Sequence, residues 1–239
     1  LFDGQRVIAI ATDDSTDAAE TVQQAFGDFR AEFLPFTNDA GLREGISHAA
    51  LLGRLKHETG EVLYCHGKGS THQPDSICQA WADAQWHILC DYPPLLACAL
   101  ERFPIAGCFR RYESLFGCAW HFSGSFYWLR LADVFARNWR EIDAIWWAVE
   151  SWPARHFALE ESACLFLDHT GDLYREAYWN SGVIPAFRQW RETLHSHGLS
   201  GMDCSTTDFS RLPVNHFLPL TGLAGSATTR RAKRNWLGI

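Results

Sequence analysis

Val62-Leu-Tyr-Cys-His-Gly-Lys-Gly-Ser70 is the stretch whose reading decides the fold class. It opens as a short apolar run and ends in a loop with two glycines, the pattern of a strand running into a turn. Immediately upstream, Leu42 to Lys56 carries apolar residues at Leu42, Ile46, Ala49, Ala50 and Leu55, which is helical spacing. Before that, Ala31-Glu-Phe-Leu-Pro-Phe36 reads as a strand closed by Asn38-Asp39. Asp13 to Thr16 is turn chemistry able to cap a helix over Asp17 to Phe26, and Val7-Ile-Ala-Ile-Ala-Thr12 reads as a buried strand. Strand, helix, strand, helix, strand predicts a parallel sheet with crossover helices. In such a sheet the loop after Cys65 sits at the carboxyl end of a strand, where ligands bind.

Downstream, Asp75 to Leu89 and Pro94 to Arg102 read as helices, and Ile105-Ala-Gly-Cys-Phe109 as a short strand. His121-Phe-Ser-Gly-Ser-Phe-Tyr-Trp-Leu129 is a dense aromatic strand leading into a helix near Ala132 to Asn138. An aromatic run, Trp146-Trp147 to Trp152-Pro153, precedes a segment read as helical, Glu160 to Leu167. Arg175 to Gly198 predicts one more helix with Phe187, Trp190 and Leu194 on one face. Residues 1–198 therefore read as one α/β domain. Residues 199–239, rich in Gly, Ser, Thr and Pro, read as an irregular appendage with a basic tail at Arg230, Arg231, Lys233 and Arg234.

With 47% hydrophobic and 21% charged residues, the 239-residue chain has the composition of a folded globular protein. A net charge of −7 speaks against a nucleic-acid partner, and the basic tail reads as a solvated end. Charged residues interrupt every apolar stretch short of a membrane span, so no transmembrane segment is expected. The chain opens directly into a strand, with no signal peptide ahead of it. The eight cysteines form no C-x-x-C pair and read mostly as buried free thiols in a reducing compartment, hence a cytoplasmic location. Eleven Trp against one Met implies either a thick aromatic core or a surface for stacking on rings.

Two segments carry chemistry. In His66-Gly67-Lys68-Gly69 the glycines let the backbone approach a ligand closely, Lys68 suits a phosphate, and His66 can donate a hydrogen bond or exchange a proton. Ser70-Thr-His72 adds hydroxyls and an imidazole beside it. In the second segment, Ser123-Gly-Ser125 interrupts an aromatic strand, which costs stability unless a ligand or another element must come close to the backbone. A carboxylate able to take a hydroxyl proton is sought among Glu150, Glu160 and Glu161, and burial among the aromatic residues flanking Glu150 and Glu160 would raise their pKa. The chain lacks G-x-S-x-G, H-E-x-x-H, Walker and Rossmann glycine patterns.

Tyr64-Cys-His-Gly-Lys-Gly69, Ala106-Gly-Cys-Phe109, Trp120-His-Phe-Ser-Gly-Ser-Phe-Tyr-Trp128 and Glu150-Ser-Trp-Pro153 together resemble a group of bacterial glycosyltransferase-like proteins. The group looks like a divergent relative of the GT-A fold. The resemblance implies a mostly parallel sheet with helices on both faces, and a first strand lying upstream of Leu1. It implies transfer of a sugar from a nucleotide-sugar donor to a glycan or glycoconjugate acceptor. His66, Gly67, Lys68 and Gly69 would hold the diphosphate, and His121, Ser123, Gly124 and Trp128 would line the sugar or acceptor. Glu160 or Glu161, with His66, would supply acid–base chemistry. The Asp-x-Asp metal motif of that fold maps onto His66-Gly67-Lys68, so the expected site has no metal ligand and no cofactor, with a divalent metal left open. The competing expectations are a non-catalytic carbohydrate-binding or scaffold domain, and a phosphoester hydrolase or phosphotransferase using the same loop.

Overall fold

In the computed structural model, residues 4–67, 76–112 and 117–197 are described. The chain begins as read: β1 (Val7–Thr12), α1 (Ala19–Ala25), β2 (Glu32–Thr37), α2 (Gly45–Arg54) and β3 (Glu61–Tyr64). β1 and β2 pair in parallel from Val7 opposite Glu32 to Thr12 opposite Thr37. Next come α3 (Ile77–Cys90), α4 (Pro93–Arg102), β4 (Ile105–Gly107), β5 (Arg110–Tyr112), β6 (Trp120–Phe122), β7 (Tyr127–Arg130) and α5 (Leu131–Phe135). The C-terminal part holds α6 (Ala148–His156), β8 (Ser162–Cys164), β9 (Asp168–His169), α7 (Glu176–Tyr178) and α8 (Ile184–His197). Residues 199–239, read as the appendage, lie outside the described residues.

The protein is α/β, but its sheets are mixed rather than mostly parallel. β3 does not extend the β1–β2 pair; it runs antiparallel to β7 in a four-stranded sheet of order β3-β7-β4-β8. A second sheet has the order β6-β5-β9. The cause lies in the segment read as one aromatic strand. Gly124 and Ser125 both have positive φ, 89° and 54°, and split it into β6 and β7. β7 then runs back between β3 and β4, antiparallel to both.

The expectation of helices on both faces does describe the four-stranded sheet. Alternate strand residues enter two separate cores, as the two-residue strand period requires. Ala106 and Trp128 join a core with α3, α4 and α8, through Trp81, Leu96 and Trp190. Ile105, Tyr127 and Leu129 join another with α2 and α6, through Leu52, Val149 and Trp152. The eleven tryptophans are thus partly explained by core: Trp120, Trp152, Trp179 and Trp190 are fully buried. No helix among the described residues is long and apolar enough to cross a membrane.

One local reading fails for an identifiable reason. Glu160 to Leu167 is a short 3-10 turn followed by β8, because an unbroken apolar run such as 163–167 fits a buried strand as well as a helix. The Trp146–Pro153 run yields α6, a helix that carries Pro153 within it. Cys65, Cys78, Cys90, Cys108, Cys118 and Cys164 are free thiols, whereas Cys98 is disulfide-bonded. Burial pushes the Cys65 and Cys90 thiols up to about 11, which leaves them poor nucleophiles.

Arg110 fastens the two larger sheets together. Its Nε and Nη2 donate to Asp168 at 2.8 and 3.0 Å, and Nη1 donates to the carbonyl and hydroxyl of Ser162, both at 2.9 Å. Removing one member of a buried pair strands the other charge. Asp168→Ala is expected to cost about 3–5 kcal/mol in urea unfolding; a loss under about 1 kcal/mol would show that the pair does not hold β5 to β9.

Candidate functional site

The carboxyl ends of β3, β6 and β9 converge on one cavity of about 130 Å³. At its edge Gly124 is gripped through both of its backbone polar groups. Its N–H donates to Glu150 Oε1 at 2.8 Å, and its carbonyl accepts from His66 Nε2 at 2.8 Å. The other ring nitrogen, His66 Nδ1, lies 2.9 Å from Glu44 Oε1. A carbonyl only accepts, so Nε2 must carry a proton, and a second proton must lie between Nδ1 and the Glu44 carboxyl. Burial pushes the Glu44 carboxyl up, but the hydrogen bond and charge of His66 outweigh it and hold the group below its usual range. His66 and Glu44 therefore form a paired unit beside the cavity.

The backbone here is under strain that packing maintains. A Cβ on Gly124 would lie 2.8 Å from Gln85 Nε2 and 3.1 Å from the Trp81 ring, at a φ side chains rarely adopt. Among the described residues the non-glycine positions with positive φ are Arg43, Phe109 and Ser125. Arg43 and Ser125 line the cavity, and the Phe109 carbonyl accepts from Ser123 N at 2.9 Å. Gln85 Nε2 holds the Ser123 carbonyl at 2.9 Å, so α3 fixes the turn from below. Strain of this kind concentrates where a ligand must be met.

Ser123 forms the centre of the floor. Its hydroxyl lies 3.2 Å from Nε2 of both His121 and His169. His169 Nδ1 is 3.2 Å from the Gly171 carbonyl and must donate to it. His169 Nε2 then accepts the Ser123 hydroxyl proton, leaving the serine oxygen to accept from His121 Nε2–H. Burial, with the Arg111 charge behind it, pulls His169 down to about 4. Burial, the nearby His169 and Arg111 together bring His121 to about 3. Both rings are neutral near pH 7.

The walls are aromatic. Trp146 and Tyr174 line the cavity and are 44% and 60% exposed. Tyr174 meets Trp81 edge-on at 5.4 Å, and the Arg43 guanidinium lies 4.6 Å from the Trp146 ring centre. Flat faces beside hydrogen-bonding groups suit a sugar ring or a base.

Of the residues singled out in the sequence, His66, His121 and Ser123 are brought together here, with Gly124 supplying its backbone. Gly67 follows His66 and is exposed; Lys68, Gly69 and Ser70-Thr-His72 lie outside the described residues. Glu160 and Glu161 do not line the cavity. Glu161 pairs with Arg137 Nη2 at 2.6 Å and accepts from Ala158 N at 2.8 Å, while Glu160 faces solvent. Of the three candidate carboxylates, Glu150 is the one that lines the cavity. Trp128 is core: it is 5% exposed and its indole N–H donates to the Leu89 carbonyl at 3.1 Å. Sequence reasoning missed Glu44, Arg111 and His169. Reading 163–167 as a strand would have placed His169 near a strand's carboxyl end; nothing local marks Glu44 or Arg111.

Among the described residues, no group of three or more His, Cys, Asp or Glu could hold a metal ion. Comparison with known proteins gives no match to any family, curated protein or solved structure.

Gly124→Ala is expected to lower stability by roughly 1–3 kcal/mol, measured by denaturant unfolding; an unchanged midpoint would mean that the turn carries no strain. Acid should also weaken the fold. His48, between Tyr64 and Trp152, is lowered to about 3 by burial and then by the charge of His156. Below about pH 6.5 the unfolded chain protonates His48, His121 and His169 while the folded chain resists until about 3–4. Stability is therefore unaffected by these groups above pH 6.5 and falls between pH 6.5 and 4, by up to roughly 1.4 kcal/mol per pH unit for each. His48→Leu should make that slope shallower in urea titrations; an identical slope would contradict the assignment.

Proposed function

We propose that the protein is a glycosyltransferase, moving a sugar from a nucleotide-sugar donor to a glycan-type acceptor. The observation carrying this reading is the placement of the Glu150 carboxylate in an aromatic-walled cavity, anchored on the Gly124 N–H at 2.8 Å. The hydrogen bond holds the carboxylate against the same turn that His66 grips from the other side. The sequence resemblance contributes the reaction class, and the cavity's chemistry suits it.

In this reading an acceptor hydroxyl sits against Glu150, which takes its proton as the oxygen attacks the anomeric carbon. The bond from that carbon to the diphosphate breaks, and the electron pair leaves with the nucleoside diphosphate. His66, its two ring nitrogens held by Glu44 and the Gly124 carbonyl, positions the loop in which Gly67, Lys68 and Gly69 follow, and this loop meets the charge that develops on the leaving group. Trp146 and Tyr174 stack on the ring, and Ser123 with His121 orients its hydroxyls. Glu150 thereby takes the base role first sought at Glu160 and Glu161. Neutralisation by Lys68 and His66 would make the reaction independent of divalent metal; a complete loss of turnover in EDTA, restored by Mn²⁺, would sink that part.

Release of nucleoside diphosphate from a panel of UDP-, GDP- and dTDP-sugars with glycan acceptors provides the assay. Glu150→Gln should reduce turnover about 10²–10⁴-fold with its far-UV spectrum unchanged, while Glu160→Gln stays within about twofold. Glycan binding without any nucleotide binding would instead establish a carbohydrate-binding domain.

A further inference from the structure

Two adjacent arginines on β5 have opposite fates. Arg110 points to one face of its sheet and is satisfied by Asp168, Ser162 and Tyr112. Arg111 points to the other face, as alternation along a strand requires. The register sets it opposite His121 on β6 and His169 on β9, so all three side chains leave the sheet toward the cavity they line. There Arg111 forms no ion pair with any described carboxylate, and its Nε is buried without a hydrogen-bond partner.

The described surroundings offer it no compensation. The two histidines beside it are neutral near pH 7. The cavity carboxylates are engaged elsewhere: Glu44 by His66, Glu150 by the Gly124 N–H, and Asp172 by Arg175 at 3.1 Å. A guanidinium held partly out of water without an anion is unfavourable, and the planar fork of arginine matches the oxygens of a carboxylate or phosphate.

We infer that Arg111 is the receptor for an oxyanion carried by the bound ligand. The group is either a carboxylate on an acidic sugar, such as a uronic acid, or the diphosphate of the donor. Naming these two sources rests on the glycosyltransferase reading, whereas the ligand's negative charge does not. Arg111 lies on the floor beside Ser123, away from the His66 loop in sequence and on a different sheet, so this charge is recognised apart from that loop.

Calorimetry with UDP, UDP-glucose and UDP-glucuronate, together with tryptophan fluorescence titrations with glucose, glucuronate and inorganic phosphate, tests this on wild type and Arg111→Gln. The variant should keep or raise the melting temperature, since it removes a partly buried cation that has no ion-pair partner among the described residues; a structural arginine would lower it. Its affinity for anionic probes should fall roughly 10–100-fold. A loss confined to glucuronate and UDP-glucuronate assigns the oxyanion to the sugar. An equal loss for UDP itself and phosphate assigns it to the diphosphate. Arg111-dependent glucuronate or phosphate binding without nucleotide binding would refute the transferase and leave the inference standing. Nucleotide-sugar binding that is the same in both proteins, or no binding of any anionic probe to wild type, overturns it.

Discussion

The fold depends at its centre on how the Gly124 backbone is held. Its N–H is fixed by a carboxylate from α6 and its carbonyl by an imidazole following β3, each at 2.8 Å. Two hydrogen bonds on one residue select this left-handed conformation, which glycine adopts without steric penalty. Without that turn the aromatic segment would continue as one strand, and β7 could not run back between β3 and β4. One constraint thus sets the mixed sheet order and the cavity's edge together.

The rest of the molecule is arranged to keep that turn rigid. α3 lies beneath it, with Gln85 on the Ser123 carbonyl and Trp81 against Gly124. The two cores on either face of the four-stranded sheet immobilise β3 and β7, whose Tyr64 and Tyr127 rings stack at 5.3 Å. The Arg110–Asp168 pair fixes β5 and β9, and with them the Arg111, His121 and His169 side chains of the floor. Polar groups are therefore presented from rigid strands and a helix, the arrangement that recognition of a small ligand requires.

The local elements were largely legible in the sequence, because β-branched and helical periodicities act over a few residues. Val7–Thr12 matches its strand residue for residue, and 94–102 differs from α4 by one position. Strand partnership was not legible. Nothing within Glu61–Tyr64 distinguishes pairing with β1 from pairing with β7, since partner choice depends on a turn sixty residues on. The site followed the same division. His66, Ser123 and Gly124 stood out because glycine and polar residues interrupt apolar runs. Arg111 and His169 did not, because their meaning comes from register across the β6-β5-β9 sheet. Glu160 and Glu161 looked equivalent to Glu150 in composition, and only the chain path separates a carboxylate paired with Arg137 from one facing the cavity.

The central claim is that the cavity around Gly124 receives a nucleotide-activated ligand. A crystal structure of the protein soaked with UDP and GDP tests it most directly. The account predicts a nucleoside diphosphate in this cavity, within hydrogen-bonding distance of the His66 loop or Arg111, and stacked on Trp146 or Tyr174. A nucleotide bound elsewhere, for example in the groove lined by Leu34, Phe36 and Arg54, with the Gly124 cavity holding only solvent, would contradict it.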